Sequence, residues 1–365
     1  MPTRIIICAR DGTQLAEFNG TARRSWILND HGQAEITIPK NDPKITESLL
    51  RYNNRIVLIS DNVPLWGGVI YTPRRWTDSA IIITAYSAEY LLKFRGSMDR
   101  AELNIPSDTT PAVILGLLVA AIQREETLGI NIGNITNAQF HSGASLGNRQ
   151  LAYDAIQDTI SLVDTAGSAG RASNMEWDIL PIFDINNRLQ FSFNVYVNRG
   201  VFHDFYLEDG HNIEASDTLM QEQGDLYNRV RIWATAEHAG ASWDQETVRN
   251  SAASRALYGL LEFEGSGSIA SGGEPSFAAG NLAAGKLLSK VRFPRKTFAL
   301  AAINVNNTFS RLDVGNRLRI RLAKYGFLPG GGIGTDTIGR IVSMAYSDLD
   351  GKMDLVVDEY VEDNS

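Results

Sequence analysis

The sequence predicts a mainly β protein with two antiparallel β-barrel modules and, between them, an α+β middle domain that contains helices. Three strand-like segments with alternating apolar residues lie within residues 53–87, and three similar segments lie within residues 315–360. Helical periodicity is concentrated in the residues between them. Strands repeat about every two residues and helices about every 3.6, so the two patterns separate the regions. We therefore divide the chain into 1–99, 100–204 and 205–365.

The first module has the pattern of a small barrel. Asp11-Gly12 separates two strand-like segments, and this pair favours a two-residue hairpin turn because both turn positions accept positive φ. Two more strands follow around His31-Gly32, and residues 43–50 carry the one helical pattern. The module then contains about seven strands and one short helix, which is enough to close a small barrel.

The middle domain is predicted to contain two helices and a hairpin. Thr110 followed by Pro111 predicts a helix start, because proline is tolerated at the first helical position. A second helix is predicted over 150–165, and a hairpin over 175–197. The apolar helix faces are expected to consist of Ile114, Leu117, Leu118, Ala121 and Ile122 in the first helix and of Leu151, Ala155, Ile156, Ile160 and Val163 in the second.

The third region, 205–365, returns to strand patterns and is predicted to form the second barrel. Residues 264–280 are rich in glycine, serine and alanine, which indicates a mobile loop or arm. Residues 281–290 have the pattern of a short helix.

The two sets of strands can be aligned as a repeat. Asn54-Arg55-Ile56 corresponds to Asn316-Arg317-Leu318, Gly68-Val69-Ile70 to Arg340-Ile341-Val342, and Ile81-Ile82-Ile83 to Leu355-Val356-Val357. A short helix precedes both sets, at 43–50 and at 281–290. The pattern is compatible with a duplication and with chance, because alternating apolar residues recur in any β protein.

Composition and hydropathy argue against nucleic-acid binding, membrane insertion and secretion. The chain is 44% hydrophobic and 21% charged with a net charge of −8, and an acidic chain rarely offers the basic face that binds nucleic acid. DNA passage through an acidic conduit stays compatible with this charge. The most apolar run, 111–122, is about half the length of a membrane span, so no membrane insertion is expected. The opening residues lack a signal-peptide pattern, which predicts synthesis in a cytoplasm.

No motif predicts a metal, a cofactor or a catalytic residue. Cys8 lies in an apolar run, so a buried thiol is expected. The spacing of His203 and His211 suits neither a helical nor a strand metal site, which favours a solvated loop. The glycines of 329–337 are followed by no helix and no Lys-Ser pair, so they form no phosphate-binding loop.

One carboxylate pair leaves an alternative open. Glu176 and Asp178 flank Trp177 on a predicted strand, an arrangement that a glycan-cleaving site uses. Residues two apart on a strand share a face, so an exposed polar face is the favoured interpretation.

A second group of residues is a candidate for contacts with partner proteins. Aromatic and basic residues of this kind are enriched at interface hot spots, although solvated loop charges explain the basic ones equally well. The candidates are Trp66, Arg74, Arg75, Trp76, Arg292, Phe293, Arg295 and Lys296.

The order of motifs resembles the central hub proteins of tailed-phage tails and contractile injection machines. The C-terminal half carries LYNRVRIWA, SRALYG, RFPRKTF, LDVGNRLRIRL and GRIVSM, and the N-terminal half carries WILNDHGQAEITIP, NNRIVLI and PLWGGVIYTPRRW. The resemblance covers nearly the whole chain and is thin in 100–200. Asn316 departs from the aspartate that the family often has at that turn.

The resemblance implies a structural, non-enzymatic component of the virion with two tube-like barrels per chain. It implies a homotrimer whose six barrels adapt the sixfold tail tube to a threefold tip at the distal end of the tail and surround an axial channel for DNA ejection. The implied partners are distal tail and tail-tube proteins, a central fibre or spike protein and a tape-measure protein. Two alternatives stay open, namely a carbohydrate-binding or glycan-cleaving tail-tip protein and the hub of a bacterial contractile injection system.

Overall fold

The computed structural model describes residues 3–60, 62–71, 74–97, 110–136, 151–161, 175–197, 199–214, 219–222, 225–238, 241–267, 270–271, 274–275, 284–285, 287–288, 291–304, 308–328 and 332–360. The strands are β1 (Thr3–Cys8), β2 (Gln14–Ile27), β3 (Gln33–Pro39), β4 (Arg55–Ser60), β5 (Val63–Ile70), β6 (Arg75–Trp76), β7 (Ala80–Ser87), β8 (Ile130–Ile135), β9 (Met175–Phe183), β10 (Leu189–Val197), β11 (Phe202–Glu208), β12 (Leu219–Glu222), β13 (Arg229–His238), β14 (Ala241–Asn250), β15 (Glu262–Gly267), β16 (Ala270–Ser271), β17 (Glu274–Pro275), β18 (Lys296–Ala302), β19 (Arg317–Phe327), β20 (Ile333–Ser347) and β21 (Met353–Glu359). The helices are α1 (Pro111–Ala121), α2 (Ala152–Ser161) and α3 (Ala252–Tyr258), with 3-10 helices at Ala88–Phe94 and Thr308–Arg311.

The first barrel is a closed ring of six antiparallel strands. The pairs run from β1 to β2, β3, β7, β5 and β4, and β4 pairs again with β1. Gly12 occupies the first hairpin turn with a φ of 86°, which only glycine adopts readily. Closure leaves no free edge in this ring, so the apolar inner faces of all six strands form one core.

The second barrel repeats this order with one change. Strands β12, β18, β21, β20 and β19 pair in sequence and antiparallel, as β2, β3, β7, β5 and β4 do in the first barrel. The sixth strand, β11, is parallel to β19, whereas β1 is antiparallel to β4. Bridges from Ile213 to Asp209 and to Ala302 connect the end of β11 to β18. The mainly β fold with two barrels is therefore confirmed, and the second barrel departs from the predicted antiparallel form in its parallel β11–β19 pair.

The turn before β4 and the turn before β19 make the same backbone hydrogen bonds in the two barrels. The N–H of Ile70 donates to the Asn54 carbonyl at 2.9 Å, and that of Ile341 donates to the Asn316 carbonyl at 2.9 Å. The residue before each asparagine has positive φ: 68° at Asn53, and 89° at the glycine of the second copy. Shared backbone hydrogen bonds at equivalent positions make chance an insufficient explanation and favour duplication.

The register corrects two of the three sequence alignments. Asn54 and Asn316 are equivalent as predicted, but Gly68 corresponds to Gly339, because these glycines lie opposite the equivalent residues of β4 and β19. Leu355 likewise corresponds to Ile83 and not to Ile81. Both predicted alignments were wrong, by one residue and by two residues. Only the error of two residues preserves the alternation of apolar side chains, so the pattern could not detect it.

The middle domain packs against the outside of the first barrel. Its sheet has the order β8-β10-β9, with β8 parallel and β9 antiparallel to β10. Ile6, Cys8, Val57, Ile59 and Val69 point away from the barrel interior and join the core formed by this sheet, α1 and α2. Strands β1 and β4 are therefore buried on both faces, which explains their continuous apolar sequences.

A separate three-stranded sheet interrupts the second barrel between β12 and β18. Its order is β14-β13-β15, and Val230 packs with Ala284 and Leu288 in a small core. The expected mobile arm at 264–280 is regular in part: its first residues belong to β15, and β16 pairs with β17. The other residues of that stretch lie outside the described part of the chain.

Several local predictions differ from the structure. Residues 43–50 form turns instead of a helix, and the Asp42 carboxylate accepts a hydrogen bond from the Lys44 N–H, a local bond that competes with helix formation. Helix α1 begins at Pro111 as predicted. Leu117 and Leu151 were assigned to apolar faces but are 41% and 43% exposed. Val163 lies outside the described residues.

Candidate assembly interface

A pair of strands joins the two barrels into one sheet. Residues Arg23–Ile27 of β2 lie antiparallel to Ser343–Ser347 of β20. The N–H of Leu28 donates to the Val342 carbonyl at 2.9 Å, which continues the ladder by one more pair. The junction is thus made of backbone hydrogen bonds and has a defined register.

A buried ion pair fixes this junction. The Nη1 of Arg24 lies 3.0 Å from the carboxylate of Asp348, and the two side chains are 6% and 10% exposed. The same carboxylate accepts a hydrogen bond from the Ala22 N–H at 3.0 Å. The guanidinium lies 4.7 Å from the centre of the Tyr346 ring, a cation–π distance. Trp26 packs against the cores of both barrels.

Three of the candidate contact residues lie together at an edge of the first barrel. Arg75 and Trp76 form β6, which pairs only with β7 within the described residues, and Trp76 is 55% exposed. Arg74 and Trp76 line an open cleft of about 500 Å³ beside the strand. The rest of the lining consists of Ile45, Thr46, Glu47, Leu50 and Tyr52. This edge combines unpaired strand backbone, an aromatic ring and positive charge.

Trp66 lies elsewhere. It is 1% exposed inside the first barrel, and its indole N–H donates to the Ser25 carbonyl at 3.1 Å. Its ring fills the barrel core behind the junction with the second barrel, so it does not reach the surface of the chain.

The other basic cluster lies at the start of β18. The guanidinium of Arg292 lies 5.8 Å from the ring centre of Phe293, and Lys296 is opposite Glu222 of β12. Arg295 precedes this strand. The structure therefore separates the candidate residues into two groups on different barrels.

Glu176 and Asp178 are buried instead of forming an exposed polar face. Each is 4% exposed, and each is paired with an arginine. Arg340 of the second barrel donates to Glu176 at 2.6 Å, and Arg199 lies 2.8 Å from Asp178. Trp177 is 1% exposed and packs on the opposite face of the strand, near Phe193.

These ion pairs connect the middle domain to the second barrel. Arg199 also lies 3.0 Å from Asp313, in the segment before β19. Burial raises the pKa of Asp178 above its usual range, and the charge of Arg199 opposes this shift. Because both carboxylates are enclosed by arginines, the cluster holds two units together and offers no open face to a glycan.

Sequence reasoning missed the junction residues, although a signal for them exists. Trp76-Thr77-Asp78 and Tyr346-Ser347-Asp348 share the order aromatic, hydroxyl, aspartate at equivalent places in the repeat. The second of these triplets supplies the Tyr346 ring and the Asp348 carboxylate of the junction.

Within the described residues there is no group of three or more histidine, cysteine, aspartate or glutamate side chains that could hold a metal ion. The described helices include none that is both long and apolar enough to cross a membrane.

This arrangement of two barrels in one continuous sheet, with an α+β domain packed on the first, is similar in fold to solved structures of prophage tail proteins. A tail protein from Neisseria meningitidis MC58 superposes with a TM-score of 0.58 at 12% identity, over 98% of this chain and 97% of that one. Prophage tail protein gp18 of Listeria monocytogenes EGD-e gives 0.57 at 12% identity, over 99% and 95%. The 43 kDa tail protein of prophage MuSo2 from Shewanella oneidensis gives 0.57 at 10% identity, over 98% of both chains.

A weaker structural similarity extends to a chain of a Francisella complex. A chain of the Francisella PdpA–VgrG complex superposes with a TM-score of 0.51 at 8% identity, over 98% of this chain and 57% of that one. No protein-family model and no curated protein matches the sequence itself. The resemblance to tail hub proteins is confirmed at the level of the fold.

Proposed function

We propose that this protein is a structural component of a phage tail, and that three copies form a hub at the distal end of the tail. Six barrels in a ring would present a nearly sixfold face to the tail tube and a threefold face to the tip. The ring would surround an axial channel through which DNA passes without being held, which suits a chain with a net charge of −8.

The observation that carries this proposal is the duplicated barrel. Five strands pair in the same order in both barrels, and the turns at Asn54 and Asn316 make the same backbone hydrogen bonds. Closed rings of identical chains have the symmetry of the number of copies. A chain that contains the same module twice therefore offers a means of matching a ring of six with a ring of three.

The proposed partners follow from this position. The sixfold face would bind tail-tube or distal tail proteins, and the threefold face a central fibre or spike protein. A tape-measure protein would occupy the channel. The hub would be assembled in the host cytoplasm, without a cofactor and without catalytic activity.

The likeness to the Francisella complex favours a second candidate, the hub of a bacterial contractile injection system. The two candidates share the ring and differ in what lies around it. The glycan-cleaving alternative has no comparable support, because Glu176 and Asp178 are buried against Arg340 and Arg199.

Light scattering on the purified chain, alone and with tail-tube protein, tests the proposal. We expect a particle of three times the 40.1 kDa chain mass that binds the end of the tube. A chain that stays monomeric in both cases would contradict the hub function. Activity on cell-surface glycans would favour the alternative.

A further inference from the structure

Each barrel has an equivalent place for a strand from a neighbouring barrel, and only one of the two is occupied within the chain. In the second barrel this place is the end of β20, where Tyr346 lies opposite Met353 of β21. In the first barrel it is β6, where Trp76 lies opposite Ile81 of β7. The repeat makes Ile81 equivalent to Met353. Strand β6 therefore corresponds to the part of β20 that pairs with β2.

The strand that would fill the vacant place also exists. In the second barrel, β12 corresponds to β2, since β12 pairs with β18 as β2 pairs with β3. The far edge of β2 is covered by β20, whereas β12 ends the sheet within the described residues. Within the described residues, β6 thus offers an open acceptor edge and β12 an open donor edge.

The cleft beside β6 is the counterpart of a filled site. Leu50, Tyr52 and Trp76 of its lining correspond to Leu312, Val314 and Tyr346 of the second barrel.

There the equivalent surface is covered. Trp26 and Leu28, which enter from the first barrel with β2, pack against the second barrel's core. The cleft of about 500 Å³ therefore lies on the surface of the first barrel that is covered in the second barrel by its neighbour.

We propose that β6 of one copy pairs antiparallel with β12 of the next copy, in the register that β20 and β2 use within a chain. This proposal rests on the hub function proposed above and names the surface that closes the ring. Transferring the observed register predicts four opposed pairs. They are Thr77 with Leu219, Trp76 with Met220, Arg75 with Gln221, and Arg74 with Glu222.

At equivalent positions, the two strand pairs carry different but complementary residues. Within the chain, Trp26 lies opposite Met344, an apolar pair. Between copies, the same position would hold Glu222 opposite Arg74, a pair of opposite charges. Opposite charges on facing positions of a strand pair are stabilising, and like charges are destabilising.

The signs of the charges also differ between the two junctions. Within the chain the donor strand is basic and the acceptor is acidic, whereas between copies the donor would be acidic and the acceptor basic. β2 brings Arg23 and Arg24 to the acidic end of the second barrel, where they pair with Asp354 and Asp348. In β12 and residues 225–228, the sequence has two acidic residues, Glu222 and Asp225, and no basic residue. They would meet Arg75 of β6 and Arg74 before it, and they would be repelled by the acidic end of another second barrel. The reversal directs each strand to its own partner.

A donor edge and an acceptor edge on different barrels make a head-to-tail contact. Such contacts close into a ring when the rotation between copies allows it. In a ring of three, junctions within chains would alternate with junctions between chains, and every barrel would be paired on both sides.

A cysteine pair tests the register directly. Arg75→Cys and Gln221→Cys occupy the position of Ser25 and Ala345, which lie between hydrogen-bonded pairs, so their Cα atoms would be about 4.5 Å apart. Disulfides form at such distances and fail above about 7 Å. After mild oxidation, a denaturing gel without reductant should show covalent dimers and closed trimers. Thr77→Cys with Gln221→Cys, shifted by two residues, is the control and should show neither.

Charge reversal tests the specificity of the contact. Arg74→Glu alone should lower the trimer fraction at least tenfold at a fixed concentration, and Glu222→Arg added to it should restore most of that loss. Melting curves identify a variant that does not fold.

The outcomes separate the two proposals. A wild-type trimer in which the cysteine pair does not cross-link would overturn the strand pairing and leave the hub function standing. A wild-type chain that is monomeric with and without tail-tube protein would overturn both.

Discussion

Arg24 of the first barrel and Asp348 of the second form a buried ion pair, 3.0 Å from Nη1 to the carboxylate, between residues at opposite ends of the sequence. The pair lies on the strands that join the barrels, so it fixes how the two modules of one chain are oriented. Removing one partner of a buried pair leaves an uncompensated charge, which costs more than the pair contributes.

Arg24→Ala is therefore expected to lower the free energy of unfolding by about 3 kcal/mol or more. Urea unfolding followed by circular dichroism measures the change. The matched control is Arg23→Ala, whose ion pair with Asp354 is exposed by 66% and 60% and is worth about 1 kcal/mol or less. Equal losses in the two variants would show that the Arg24 pair does not hold the junction.

Asn54→Ala and Asn316→Ala are expected to lower the free energy of unfolding by similar amounts, because both side chains donate hydrogen bonds to backbone carbonyls at equivalent positions. The Asn54 amide donates to the Ser48 and Leu49 carbonyls at 3.0 and 2.8 Å, and the Asn316 amide donates to the Arg311 carbonyl at 3.1 Å. Each substitution leaves buried groups without a partner, which costs about 1–3 kcal/mol.

The same unfolding experiment measures both asparagine variants. Asn186→Ala, at an exposed turn, is the control and should change stability by about 0.5 kcal/mol or less. A neutral Asn316→Ala would mean that the duplicated turn does not depend on its asparagine.

The stability of the protein should depend on pH through Glu89. Burial raises the pKa of Glu89 from 4.5 to about 7, and its Oε1 accepts a hydrogen bond from the Ile179 N–H at 3.0 Å. A carboxyl with a raised pKa stabilises the fold while it is protonated, so this contribution is complete below pH 4.5 and is lost as the pH rises through about 7.

Glu89→Gln removes the titration. The variant should gain stability relative to the wild type as the pH rises from 4.5 to 7, by about 3 kcal/mol, and the difference should then level off. Unfolding curves at several pH values measure this. A difference that does not change with pH would contradict the raised pKa.

Glu176→Gln is expected to destabilise the contact between the middle domain and the second barrel by about 1–3 kcal/mol, since it removes a charged partner of Arg340. Asp204→Asn is the control, because that carboxylate is 88% exposed in its pair with Arg311. Unfolding of both variants, together with a glycan hydrolysis assay, separates the two interpretations. Lost hydrolysis with unchanged stability would support the glycan-cleaving alternative.

Cys8 should be unreactive in the folded protein. It is completely buried between the first barrel and the middle domain, and burial raises the pKa of its thiol to about 12. A thiol reagent at pH 8 should label it only after denaturation, because the thiolate is the reactive form. Rapid labelling of the native protein would mean that the middle domain separates from the barrel.

The sequence pattern was sufficient for the two barrels and for the turn shared by Asn54 and Asn316, because both depend on local alternation and turn residues. It was insufficient for the register of the later strands. Alternation is unchanged by a shift of two residues, and the irregularity between Ile341 and Ser343 displaces the pairing of β20 with β21.

Long-range pairing was also invisible in the sequence. The burial of Glu176 depends on Arg340 in another unit of the chain, so strand periodicity alone suggested an exposed face. Trp66 was assigned to the surface by its residue type, although it lies in the barrel core. Side chains of this kind are positioned by tertiary contacts that leave no local signal.

The central claim is that three copies imitate a ring of six, and electron microscopy of the purified assembly tests it most directly. Class averages viewed along the axis should show a ring of six similar densities around a hole, with sixfold symmetry at low resolution that resolves into threefold symmetry at high resolution. A ring of any other order would contradict the account.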